Sequence, residues 1–186
     1  MIGSLPDNVL LDIFDFCQTS PPIMIFYRWW LPLVHVCQSW RYIVFASPLR
    51  LDLQLECNAD TSMKKMLDVW PSLPIIINEL RPQQISLQLP FSGANIFAVL
   101  KHHDRIRKIA ISSTSITVLK QFYNVIKKPY PELTDLHLEF FKKPAPVVLD
   151  TFLGGSAPCL KYFSLSGIPF PAFPKFILSF HELVDL

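Results

Sequence analysis

The sequence predicts an α+β chain in which a short-helix module over residues 1–48 precedes an α/β-type repeat array over residues 49–186. Three observations carry this reading. Apolar residues recur at helical spacing in two stretches of the first fifty residues. Beyond them, an apolar-x-x-apolar-x-apolar segment returns every 23 to 27 residues. Helical stripes lie between the returns, so strand and helix alternate, as in a parallel strand stack backed by helices.

The opening, MIGSLPDNVLLDIFDF, places a helix start close to the N-terminus. Ser4 can cap it, with Asp7 three places on in an imperfect capping box. Pro6 is expected in the first turn, where its missing N–H does no harm. Val9, Leu10, Ile13, Phe14 and Cys17 form one stripe. Leu11 and Phe16 are apolar too, so the helix is hydrophobic on more than one side. The chain breaks at TSPP, residues 19 to 22. A second helix is expected after Pro32, with Leu33, Val36, Cys37, Trp40 and Val44 on one stripe and Pro48 as its stop. These helices carry more apolar surface than they can bury among themselves. By periodicity, that surface either meets a partner or packs on the rest of the chain.

The array begins with LDLQL at Leu51 as its first expected strand. PQQISL from Pro82, IRKIAI from Ile106, LTDLHL from Leu133 and LKYFSL from Leu160 follow, and LVDL from Leu183 begins another. The spacing falls in the 20–29-residue range of leucine-rich repeats. Helical stripes run through TSMKKMLDVWP, ANIFAVLKHH and SITVLKQFYNVIKK. LPIIINEL, residues 73–80, fits the period poorly and is read as an extra strand or a bulged connection. Because side chains alternate along a strand, Ile85, Ile109, Leu136 and Phe163 should point inward. Three outward rows should then form: Gln84, Lys108, Asp135 and Tyr162; Ser86, Ala110, His137 and Ser164; Gln88, Ser112, Glu139 and Ser166. A target is expected on this face at Lys108, Asp135, His137, Glu139 and Tyr162. The array stops inside a strand pattern, which reads as an incomplete C-terminus from a fragment or a truncated gene model.

Composition excludes several classes. Hydrophobic residues make up 51% and charged residues 17%, so the chain can fold around a core. A net charge of +2 gives no electrostatic reason for nucleic acid or an anionic membrane surface. Two uncharged runs, Phe16 to Tyr27 and Trp29 to Trp40, are too short to span a bilayer and are split by Arg28. Asp7, Asp12 and Asp15 interrupt the first apolar run, so it is no secretory signal, and a cytoplasmic or nuclear location is expected. Cys17, Cys37, Cys57 and Cys159 form no C-x-x-C pair and read as buried free thiols. There is no phosphate loop and no G-x-S-x-G. GGSAP, residues 154–158, reads as the turn before the strand at Leu160. His102 and His103 are neighbours about 100° apart on a helix, a poor metal site. His35 is a surface or interface residue. No metal, no cofactor and no enzymatic activity are expected.

LPDNVLLDIFDF followed by LVHVCQSWRYIVFASPL resembles an F-box. The resemblance rests on Leu5, Pro6, Val36, Cys37, Trp40 and Arg41 and covers about residues 4 to 48. LRLDLQLEC, MLDVWPSLPIIIN, FLGGSAPCLKYFSLSGIPFP and LVDL resemble the degenerate leucine-rich repeats of F-box proteins common in mushroom-forming fungi. The Asn that many such repeats place after the strand is absent here. The resemblance implies docking on the Skp adaptor, and through it a cullin, with Leu5, Pro6, Val9, Leu10, Ile13, Phe14, Val36, Cys37 and Trp40 in contact. The chain would then be a substrate receptor of a cullin-based ubiquitin ligase, its repeats holding an unidentified target protein. The alternative is an interaction scaffold outside any ligase, its F-box-like helices capping the repeat.

Overall fold

A computed structural model describes residues 5–18, 29–57, 63–79, 93–113, 115–141, 151–169 and 184. The chain divides into two compact units. One comprises Met1–Glu56 and Trp70–Pro74, the other Cys57–Val69 and Ile75–Leu186.

The first unit is built on α1 (Asp7–Gln18), α2 (Leu31–Val34) and α3 (Gln38–Ala46). The carbonyl of Pro6 accepts from the N–H groups of Val9 and Leu10 at 3.0 and 3.1 Å. Pro6 therefore stands just before α1 rather than inside its first turn. The capping role read for Ser4 lies outside the described residues. Leu10 and Phe14 are buried. The Phe14 ring meets Trp40 edge to face at 5.0 Å, an arrangement its quadrupole favours. Arg50 clasps the flank of α1, its Nη2 donating to Asp12 at 2.6 Å and to Asp15 at 2.8 Å.

The single helix expected after Pro32 is two helices. Cys37 takes an extended backbone (φ −160°, ψ 170°), and its Sγ accepts from the Trp40 N–H at 3.5 Å. Cys37 thus caps α3 and resets its phase, ending the stripe drawn through Leu33, Val36 and Val44. LDLQL is likewise not a strand at Leu51. The N–H groups of Leu51 and Leu53 are bonded to the carbonyls of Ser47 and Pro48, and Asp52 has φ 43°. Both leucines are buried in this turn, and β1 begins later, at Leu55–Cys57. Trp30 fills the unit's aromatic centre. Its ring packs on Phe45 and Trp70, and its Nε1 donates to the Gln54 carbonyl at 3.3 Å.

The second unit contains β2 (Ile75–Glu79), β3 (Ile106–Ser113), β4 (Asp135–Phe140) and β5 (Tyr162–Ser166), with α4 (Met63–Val69), α5 (Gly93–Val99) and α6 (Ile116–Val125). The sheet runs in chain order, β1-β2-β3-β4-β5, and β2 to β5 pair parallel. Parallel pairing requires crossovers. Helix α5 supplies that between β2 and β3, α6 that between β3 and β4, and a 3₁₀ turn at Phe152–Gly155 lies between β4 and β5. The helices follow from their apolar stripes; in α6, Leu119, Phe122 and Tyr123 are buried and Ser115 caps the start by accepting from the Val118 N–H.

The expected register holds from β3 onward: Lys108 pairs with Asp135 and Asp135 with Tyr162, 27 residues apart each time. The inward row Ile109, Leu136 and Phe163 is buried and in register. The segment LPIIINEL supplies β2, paired directly with β3 through an irregularity between Ile75 and Ile76. PQQISL, expected in that place, lies outside the described residues, as do Gln84, Ile85, Ser86 and Gln88. The ladder step made by Thr134 N–H to Arg107 and by Lys161 N–H to Thr134 recurs where Val184 donates to Lys161, each at 2.8 Å.

Two glycines answer to backbone geometry. Gly154 (φ 59°), in the GGSAP turn, passes so close to Pro129 that a Cβ would lie 2.5 Å from its nitrogen. Gly167 (φ 69°), after β5, would press a Cβ onto the Phe140 carbonyl. Among the described residues, no helix is long and apolar enough to cross a membrane.

Candidate interaction surfaces

Helix α1 presents two apolar sides because 3.6 residues make a turn. Val9, Ile13 and Phe16 fall within about 60° of one another on the helix surface. Leu10 and Phe14 centre about 110° round from them. The inward pair is 1% and 0% exposed, whereas Val9, Ile13 and Phe16 are 37%, 43% and 76% exposed. Leu5 and Val36, in the same unit, are exposed as well. The nine residues expected to touch an adaptor therefore separate. Leu5, Pro6, Val9, Ile13, Val36 and Cys37 are at the surface, Trp40 is half-buried, and Leu10 and Phe14 are interior. Leu10 and Phe14 are corrected to core residues: their side chains have no surface to offer.

The V-C-x-x-W-R segment has a structural account of its own. Cys37 caps α3, half-buried Trp40 packs on Phe14, and Arg41 Nε donates to the Val34 carbonyl at 2.9 Å. These contacts hold the α2–α3 turn and leave Val36 outward. Phe16, the apolar residue expected off the main stripe, is on this outward side. The cysteines are thiols rather than disulfides; Cys57 is buried, Cys159 half-buried, and Cys17 and Cys37 are exposed, contrary to the expectation of buried thiols.

The second surface is the outer face of the sheet. Lys108, Asp135 and Tyr162 form one row, Ala110, His137 and Ser164 the next, and Ser112, Glu139 and Ser166 a third. On β2, Ile76 and Asn78 continue the first two rows. Exposure varies along the sheet: Ile76 is buried, Lys108 is exposed, Asp135, His137 and Glu139 are half-buried, and Tyr162 is 49% exposed. Lys108 Nζ lies 3.7 Å from Asp135 Oδ1, and Thr134 Oγ1 lies 2.6 Å from the other Asp135 oxygen. Beside that exposed pair, Glu139 adds a carboxylate and Tyr162 a large ring to the face.

Among the described residues, no three of His, Cys, Asp and Glu gather to hold a metal. His103 Nδ1 lies 2.8 Å from the Pro129 carbonyl, which can only accept, so Nδ1 carries the proton. His103 also stacks edge-on against Tyr130. His35 is exposed, its ring near Trp70. Comparison with protein-family models, with curated proteins and with solved structures gave no match.

Proposed function

We propose that this chain is the substrate-receptor subunit of a cullin-based ubiquitin ligase. Its first unit is an F-box that docks on the Skp adaptor, and its second is a degenerate leucine-rich-repeat array that holds a target protein. One observation carries the reading: α1 turns Leu10 and Phe14 inward yet leaves Val9, Ile13 and Phe16 outward. A helix that needed only to pack would not spend apolar residues on both sides. That Phe14 packs on Trp40, inside the helical unit, favours docking over the alternative role of capping the repeat. In this reading no bond is made by the chain itself; it contributes proximity between a target lysine and a charged ubiquitin carrier. The outer sheet face, with Lys108, Glu139 and Tyr162, is the surface for the target.

The test is titration of the 186-residue chain with purified Skp adaptor by calorimetry. Binding at micromolar concentration is expected, weakened at least tenfold by Ile13→Asp, a loss of about 1.4 kcal/mol. Absence of heat with the folded wild-type chain overturns the receptor reading. For the target surface, charge reversal at Lys108 and Glu139 with Tyr162→Ala should abolish target capture and leave the adaptor titration unchanged. Loss of target binding on substitution of Lys120 or Lys127 instead would move the site to the helical side.

A further inference from the structure

A second apolar surface lies on α3. Gln38, Arg41, Tyr42, Phe45 and Ala46 line a shallow groove of about 380 Å³ whose walls are almost wholly apolar. These residues recur at helical spacing, so the groove runs along two turns of α3, about 12 Å at 1.5 Å per residue. Trp40, which faces α1 through Phe14, lies about 160° round the helix from Tyr42. The groove is thus on the far side of α3 from α1 and separate from the Val9–Ile13–Phe16 stripe.

Two features say what fits it. Its floor is preformed: Phe45 is packed edge-on against Trp30 at 5.9 Å and tilted against Trp70 at 5.8 Å, so little side-chain freedom is lost on binding. Its rim is cationic and carries unused donors. Arg41 bonds the Val34 carbonyl through Nε alone, and among the described residues no carboxylate pairs with its guanidinium. The two terminal NH₂ groups can therefore take a carboxylate end-on. Tyr42, 73% exposed, supplies an amphipathic wall.

We propose that this groove docks a short amphipathic helix of a partner protein, which lays an aliphatic side chain against Tyr42, Phe45 and Ala46 and sets a Glu or Asp one turn away on Arg41. The inference does not rest on the adaptor reading, because it uses a different face of the unit.

The experiment is fluorescence anisotropy on the full chain with a labelled fourteen-residue Leu/Ala helical peptide carrying one Glu a turn from its central leucine. Its twin has Gln in that place. The Glu peptide should bind roughly fivefold tighter than the Gln peptide, the size of a charge-assisted hydrogen bond at a partly exposed rim. Arg41→Gln should erase that difference. Ala46→Trp, which fills the groove, should abolish binding of both peptides, while Ile13→Asp leaves both unchanged. The Glu/Gln comparison alters only the peptide, so it stands even if Arg41→Gln unsettles the α2–α3 turn. Equal affinity of the two peptides, binding that survives Ala46→Trp, or no binding of either overturns the proposal. Displacement of the peptide by micromolar dodecanoate would assign the groove to a lipid carboxylate and overturn the peptide assignment.

Discussion

The two units use apolar residues in opposite ways. In the sheet unit, alternation sends Ile109, Leu136 and Phe163 inward and leaves Lys108, Asp135 and Tyr162 outward, one set to each face. In the helical unit, α1 carries apolar residues both inward and outward, and α3 does so too, with Ile43 and Val44 buried but Tyr42 open. The lesson is that an apolar residue in a strand of this chain reports on core, whereas one in its helices reports on core or docking surface according to its angle.

Replacing interior and surface residues one helical position apart breaks or sharpens that contrast most strongly. Phe14→Ala should cost about 3–5 kcal/mol of stability, because it empties a fully buried ring site against Trp40. Its neighbour Ile13→Asp should leave the unfolding free energy in urea titration within about 0.5 kcal/mol of wild type. Equal losses would show that both sides of α1 are core. In the sheet unit, Gly167→Ala should cost about 3 kcal/mol, since a Cβ at φ 69° meets the Phe140 carbonyl and the residue cannot leave the left-handed region. A mild effect there would mean that the end of β5 is loosely held.

Alkali separates the units in another way. Burial pushes the Tyr123 hydroxyl up to about 12 and that of Tyr130 higher still; both belong to the sheet unit. A tyrosine whose folded value is raised binds its proton more tightly folded than unfolded. Its contribution is therefore whole below the ordinary value near 10 and is lost as pH climbs through 12. The sheet unit's signals in hydrogen exchange should open between those values, and Tyr123→Phe, which removes a buried hydroxyl without a partner among the described residues, should blunt the fall. In the helical unit, Cys37→Ala should cost about 1 kcal/mol through loss of the α3 cap, and Cys37→Ser should restore it. Smallest of all, disrupting Lys108–Asp135 should cost under about 0.5 kcal/mol, and less still in 1 M salt, as an exposed pair on a wet face should.

The same contrast explains what could be read without coordinates. The outward rows from Lys108 to Tyr162 followed from a period of two along the strands and of 27 between them, and both periods survive any detail of the connections. The place of β2 did not follow, because a 32-residue step from Ile76 to Lys108 and a bulge at Ile75 break the period. In the helical unit a continuous stripe from Leu33 to Val44 missed the extended Cys37, whose thiol cap is a three-residue event that apolar spacing does not register. The split of α1 into Leu10 and Phe14 against Val9, Ile13 and Phe16 was present in the angles, but apolar residues on both sides do not say which side is inward. The groove on α3 depended on where that helix begins, and so on the same cap.

The chain-order stacking of β2 to β5 has a mechanical consequence. Strands that neighbour in space also neighbour in sequence, so β2 and β5 stand at opposite ends of this four-strand run. A pull on those two strands across the sheet loads its ladders one after another rather than all together. Each rupture would release one 27-residue span between β3 and β4 or β4 and β5, about 90 Å of extended chain. Such a sheet yields to tension by peeling, a strand at a time, in steps whose length is set by the spacing of its own sequence.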